Sequence, residues 1–328
     1  MKCFKFCFAF LMTVSVIFWV GLIQGCYKNQ LTCPDTEPTV SPYSKPVWHP
    51  NGQILGFNRI PLEAVFIDNS PCHLDSYSFY DDSTGFWLIN KDGSNLRKVV
   101  NYRLYDPAWS PDGKWVAFSK GDNIFKMAFD GNNFDTAHLI NLSNNNSNSL
   151  FPAWSSTGDT IFYDSNKDAP NGTSSYAIWK MAADGTGQTR VSQDLIQGGT
   201  EPYFMNANKI LFIRYVNQVA QVFSMDTNGN DVKQLTSTGN SNQFPGKEYP
   251  QALNSKIFFE DFGIWSINED GSNLQQLCVS SVEGYSIAKD GTIAWVNFDY
   301  SKLDKIAGTI WLMDSTGNQK RQITFNNY

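Results

Sequence analysis

The hydrophobic positions of this 328-residue chain fall into two regimes. Residues Phe6 to Ile23 form one apolar run, broken only by Thr13, Ser15 and Gly21 and preceded by Lys2 and Lys5. From Tyr27 the chain turns polar. Beyond Lys45, apolar residues recur in short runs such as Trp115-Val116-Ala117-Phe118 and Ile161-Phe162-Tyr163, bounded by turn-forming residues. Runs of that length between turn formers predict many short strands rather than helices.

The short runs also repeat. Pro107-Ala108-Trp109-Ser110-Pro111-Asp112-Gly113, continuing to Phe118, is matched by the frames Pro46 to Phe57 and Pro152 to Tyr163, and weaker copies begin at Pro202, Pro250 and Tyr285. A second half-motif follows each frame: Phe86 to Gly93, Ile124 to Gly131, Ile178 to Gly185, Val222 to Gly229, Ile264 to Gly271 and Ile310 to Gly317. In the first half-motif Pro sets φ near −65° and Gly accepts positive φ, so Trp-Ser-Pro-Asp-Gly turns one strand into the next. Asp-Gly does the same in the second. A further strand signal, such as Val232 to Thr236 or Lys320 to Thr324, follows the glycine.

Each unit therefore holds four short strands, A to D. The 284 residues from Lys45 to Tyr328, shared among six units, give about 47 each, the size of a four-stranded blade. A lone blade cannot bury its two faces, so the units stack radially, with Trp109 and Trp154 packed between neighbouring sheets. The sequence predicts an all-β, six-bladed β-propeller of four-stranded antiparallel blades over 45–328. The blades fall near 45–105, 106–150, 151–200, 201–248, 249–284 and 285–328. Whether an exchanged strand closes the ring is open at this point.

The frame P-x-W-S-P-D-G, followed by a strand and then I-W/F-x-M-x-x-D-G, resembles the TolB-type (WD-repeat-like) β-propeller repeat, also seen in the propellers of prolyl-oligopeptidase-like enzymes. The resemblance covers nearly all of the chain beyond the N-terminal segment and is degenerate in repeats four to six. It implies a binding scaffold of the bacterial envelope. TolB itself carries an α/β domain before its propeller; here only a short tether is expected in its place, and no hydrolase domain is expected after Tyr328.

The N-terminal charge and apolar run read as an export signal over residues 1–25, with an uncleaved membrane anchor as the alternative. Ile23-Gln24-Gly25-Cys26 resembles the bacterial lipoprotein cleavage box, which implies lipidation of Cys26; Gln24 departs from that pattern, and ordinary secretion is the remaining alternative. Tyr27 in place of Asp implies an outer-membrane destination, facing the periplasm or the cell surface. Residues 26–44, rich in Pro, Thr, Ser and Asn, read as a tether. Of the mature cysteines, Cys33 and Cys72 are expected to form a disulfide and Cys278 to be a buried thiol.

Charge and chemistry narrow the function. Thirty-one acidic against 25 basic side chains leave no surplus to neutralise phosphates, which argues against nucleic acid. The sequence holds no Gly-x-Ser-x-Gly elbow, phosphate loop or His-Glu-x-x-His motif. His49, His73 and His138 are scattered and read as loop or strand-edge residues; turn chemistry accounts for the Asp-Gly pairs and for Asn144 to Asn146 without calcium. No metal or cofactor is expected.

In a propeller the loops entering strand A and those joining B to C gather at one mouth of the central channel. Residues just before each frame are the candidate partner-binding set: Tyr102, Arg103, Tyr105, Asp106, Phe151, Glu201, Lys247, Tyr249 and Glu283. The expected function is a monomeric, non-catalytic envelope module recognising a protein or glycan there. The alternative is a propeller hydrolase or lyase acting on a polysaccharide or peptide, using two of Glu201, Glu248 and Glu283. The insertion from Pro61 to Thr84 either overhangs the mouth or caps blade one.

Overall fold

The Pro-containing frames become the innermost strands. In the computed structural model the described residues are 43–60, 62–66, 74–79, 83–170, 175–194, 198–237, 247–279, 282–297 and 308–325, with backbone alone for 62–66, 74–79 and 282–283. Cys26, Cys33, Cys72 and His73, and the export and tether segments up to residue 42, lie outside them.

Blade 1 orders β1 (Tyr43–Trp48), β2 (Ile54–Arg59), β5 (Gly85–Asn90) and β6 (Arg97–Val100). Between β2 and β5 the chain forms a separate hairpin, β3 (Leu62–Phe66) and β4 (Leu74–Phe79), which pairs with itself. Blade 2 holds β7 (Tyr105–Trp109), β8 (Trp115–Lys120), β9 (Asn123–Ala128) and β10 (Ile140–Asn141). Blade 3 holds β11 (Ser149–Trp154), β12 (Thr160–Ser165), β13 (Ala177–Ala182) and β14 (Thr189–Arg190). Blade 4 runs β15 (Thr200–Asn206), β16 (Lys209–Val216), β17 (Val219–Asp226) and β18 (Lys233–Gln234). Blade 5 runs β19 (Glu248–Leu253), β20 (Lys256–Glu260), β21 (Ile264–Asn268) and β22 (Gln275–Cys278), and blade 6 runs β23 (Val282–Ile287), β24 (Ile293–Asn297), β25 (Thr309–Met313) and β26 (Arg321–Gln322). The molecule is a six-bladed propeller of four-stranded antiparallel sheets, with no helix among the described residues.

The repeated turns behave as their residues require. Ser110 Oγ donates to Asp112 Oδ1 at 2.6 Å and accepts the Trp115 N–H at 3.0 Å, while Gly113 closes the turn at φ +71°. In the C-to-D turn an Asp carboxylate accepts the N–H two residues on, as Asp92 does from Ser94 and Asp270 from Ser272. This Asx-turn chemistry explains why Asp-Gly recurs.

Six apolar cores lie between blades rather than within them. Trp109 packs with Phe86 and Phe118 between blades 1 and 2, and Trp154 with Ile124 and Tyr163 between blades 2 and 3. Each such ring or aliphatic chain contributes about 1.5–3 kcal/mol on burial. The same construction closes the ring: Trp48, Leu55 and Phe57 of blade 1 join Val296, Ile310 and Leu312 of blade 6 in one core. The Trp48 amide donates to Ser286 Oγ at 3.1 Å, and Lys91 Nζ reaches Asp290 at 2.5 Å. Each sheet takes its four strands from its own unit, so among the described residues no strand is exchanged at the closure.

Candidate functional site

Every inner strand breaks step at the same place. The ladder shifts between Ser44 and Val47, Tyr105 and Ala108, Leu150 and Ala153, Thr200 and Tyr203, Glu248 and Gln251, and Val282 and Tyr285. Proline follows the break in the first five blades, and having no N–H to give the ladder it favours a bulge. The first residue of the break takes positive φ in five blades: Lys45 +51°, Asp106 +50°, Phe151 +52°, Glu201 +53° and Tyr249 +51°; in blade 6 it is Gly284, one place later, where the others carry Pro, that does so at +100°. Non-glycine residues adopt this conformation rarely, and here five do so in register.

These six positions form one ring lining the central channel, whose free volume is about 350 Å³. The Lys45 ammonium stands 3.6 Å from the centroid of the Tyr249 ring, 5.8 Å from that of Phe151 and 3.7 Å from Asp106 Oδ1. The Tyr249 and Phe151 rings are 6.5 Å apart. Glu201 Oε2 accepts the Tyr249 amide at 2.6 Å, and the Tyr285 hydroxyl donates to the Tyr249 carbonyl at 2.7 Å.

Carboxylates outnumber cations in this mouth. Burial pushes Glu201 up to about 8, against the pull of the Tyr249 amide and of Lys45; Glu248 and Asp164 push it further. Asp164 rises to about 7 because it is fully buried, although it accepts from the Thr200 hydroxyl and the Glu201 amide. Burial also raises Asp106 and Glu248, with Lys45 opposing in both cases. Tyr249 is held far above its ordinary value by burial and by Glu201.

Of the residues predicted from sequence, Asp106, Phe151, Glu201 and Tyr249 all occupy the ring. Arg103 and the half-exposed Tyr105 sit on the adjoining rim, the guanidinium 5.0 Å from the Tyr105 ring centroid. Tyr102 packs against the core between blades 1 and 2, with Lys120 Nζ 5.0 Å from its ring. Lys247 is not presented to the mouth: its side chain is 1% exposed, and its ammonium meets Asp261 at 3.2 Å. The Glu283 side chain lies outside the described residues. Cys278 is a free, buried thiol, and His138 is exposed beside Asp135.

Two site residues escaped the sequence reading. Lys45 precedes Pro46 just as Asp106 precedes Pro107, so the repeat itself carries the signal. Asp164 lies on a second strand, and nothing in its local sequence announces that it reaches the next blade. Among the described residues no group of three or more His, Cys, Asp or Glu is placed to hold a metal ion.

The sequence matches no protein-family model and no curated protein. Solved structures share its fold. The protein from Agrobacterium tumefaciens assigned as TolB superposes with a TM-score of 0.56 at 15% identity, over 70% of this chain and 84% of that one. TolB from Acinetobacter baumannii gives 0.54 at 16%, over 72% of this chain but only 58% of that one. The chain has the fold of the TolB-type propeller. An oligogalacturonate lyase from Vibrio parahaemolyticus also superposes, with a TM-score of 0.52 at 9% identity, over 89% of this chain and 80% of that one. One propeller architecture thus serves proteins of different activity, and the fold alone does not choose between them.

Proposed function

We infer that the chain is an exported, non-catalytic binding module of the bacterial envelope, anchored through lipid at Cys26, that recognises a protein or glycan partner at the channel mouth. One observation carries the reading: the ring of bulge residues places aromatic faces and charges of both signs around a cavity of about 350 Å³. Cavities of this size with a few placed polar groups suit the capture of a protruding side chain or sugar. Tyr215, near the end of β16, and Phe262, in the turn between β20 and β21, are exposed. Exposed aromatic residues are the usual anchors of protein and glycan interfaces.

A hydrolase would need two of Glu201, Glu248 and Glu283 as an acid and base pair, and the raised Glu201 is the feature that favours it. Against that reading, the Glu201 carboxylate is already committed to the Tyr249 amide, and removing it would leave a buried donor unpaired. The test compares capture from an envelope extract by the wild type and by an Arg103→Ala, Tyr105→Ala double variant. Both substitutions leave the interior untouched, so folding is expected to be unchanged and the partner to be lost. Identical partner lists would remove the mouth as the recognition surface.

A further inference from the structure

The Lys45 ammonium is held as a bound ligand would be held. It leans on the face of Tyr249, faces Phe151, and pairs with Asp106, while Glu201 and Glu248 lie near enough to feel its charge. An aromatic face with a carboxylate beside it is the general solution for binding an organic cation. Its side chain remains 28% exposed, so the pocket opens to the mouth rather than sealing Lys45 inside. Among the described residues, Asp106 pairs with this ammonium and the Glu201 and Glu248 carboxyls lie close by, so acidic groups outnumber the one cation at this position.

We propose that the groups around Lys45 form a binding site for a primary alkylammonium, presented by the partner as a lysine side chain, and that Lys45 is its intramolecular occupant. The proposal rests on the channel mouth being the recognition surface and names the chemistry recognised there. An alkylammonium fits better than a metal ion. Its apolar stem can lie along Phe151 and Pro152, and the described residues offer no three-ligand cluster. A partner lysine entering along the channel axis has to displace Lys45. Its apparent affinity is therefore reduced by the fraction of time that Lys45 fills the site.

The test removes the occupant and supplies the ligand in its simplest form. Thermal unfolding of wild type and Lys45→Ala is followed while n-butylammonium chloride is titrated, with n-butanol and sodium chloride at equal concentration as controls. Lys45→Ala is expected to show a saturable rise in melting temperature with butylammonium alone, half-saturating at a concentration at least tenfold lower than for wild type. Asp106→Asn in the Lys45→Ala background is expected to weaken that response tenfold. Lys45→Asn serves as a second variant, because Asn tolerates the φ of +51° at this position.

Equal half-saturation in wild type and both Lys45 variants overturns the proposal, as does a response that butanol or sodium chloride reproduces. Recovery of folded Lys45→Ala only in the presence of butylammonium supports it. The titration contains no partner, so its failure removes the ammonium site while leaving recognition at the mouth to the capture experiment.

Discussion

Glu201 Oε2 accepts the backbone N–H of Tyr249 at 2.6 Å, so one blade's bulge side chain holds the next blade's bulge. The first three blades also bring a second-strand side chain to this boundary. Asn58 pairs with both the N–H and the carbonyl of Leu104, Ser119 accepts the Phe151 amide, and Asp164 accepts the Glu201 amide. All three stand at one register position of the second strand, opposite Ser44, Tyr105 and Leu150. In blade 4 that position is Ile213, opposite Thr200, and it has no acceptor. Glu201 supplies the one that is missing, and its removal from water is the consequence.

That burial makes stability depend on pH. Glu201 titrates near 8 in the folded state against an ordinary value of 4.5, and Asp164 near 7 against 3.8. The folded protein therefore holds extra protons between those values, and its stability falls as pH rises through the window. The loss is up to about 1.4 kcal/mol per pH unit for each group. Urea unfolding at pH 5.5, 7.0 and 8.5 is expected to show decreasing stability, with a shallower slope in Glu201→Gln. A wild-type stability that is flat or rises over this range would contradict the assignment.

Asp164 separates charge from hydrogen bonding. Asp164→Ala leaves the Thr200 hydroxyl and the Glu201 amide without their acceptor and is expected to cost about 2–3 kcal/mol. Asp164→Asn keeps an acceptor oxygen and loses the buried charge. It is expected to lie within about 1 kcal/mol of wild type at neutral pH, as measured by denaturant midpoint.

How far the sequence foretold this follows from the range of each interaction. Turns are local, so Ser110, Asp112 and Gly113 could be placed from their own neighbours, and counting frames gave six blades. Asp106, Phe151, Glu201 and Tyr249 were found because each lies just before a frame, although nothing local announced their positive φ. Lys247 occupies a similar place in the chain, yet its ammonium turns to Asp261 on the neighbouring hairpin. That choice depends on the geometry of the turn after β20, which hydrophobic periodicity does not encode. The Asp164 contact crosses between blades and is written only in three dimensions.

His49 replaces the Ser of the first turn, and the structure shows what the replacement entails. Its Nε2 lies 3.1 Å from the Gly113 carbonyl, and its ring sits edge-on to Trp109 with centroids 4.7 Å apart. A Cβ added at Gly113 would come within 2.3 Å of Nε2, at a φ of +71°. Gly113→Ala is expected to cost more than the ~1–2 kcal/mol of backbone strain alone. His49→Ser should relieve the excess, so a double-mutant cycle is expected to return a favourable coupling. Strict additivity would mean that His49 moves aside without cost.

The cysteines test compartment and pairing together. Cys278 is buried and free in β22. Mass mapping without reductant is expected to find Cys33 joined to Cys72 and Cys278 alkylated only after unfolding. Any pair that includes Cys278 rejects this arrangement.

The address is tested at Cys26. Tyr43 is buried with its ring centroid 5.5 Å from that of Phe57, and β1 enters from the mouth end, where Lys45 stands. A lipid on Cys26 would thus hold the mouth within a fully stretched tether's reach of the membrane, about 60 Å at most. Cells fed labelled palmitate are expected to label the wild-type protein and not Cys26→Ala, which should remain unprocessed. Label persisting in the variant would refute lipidation at Cys26. A protein that is cleaved but unlabelled in both forms would indicate ordinary secretion and remove any reason for the mouth to work close to a membrane.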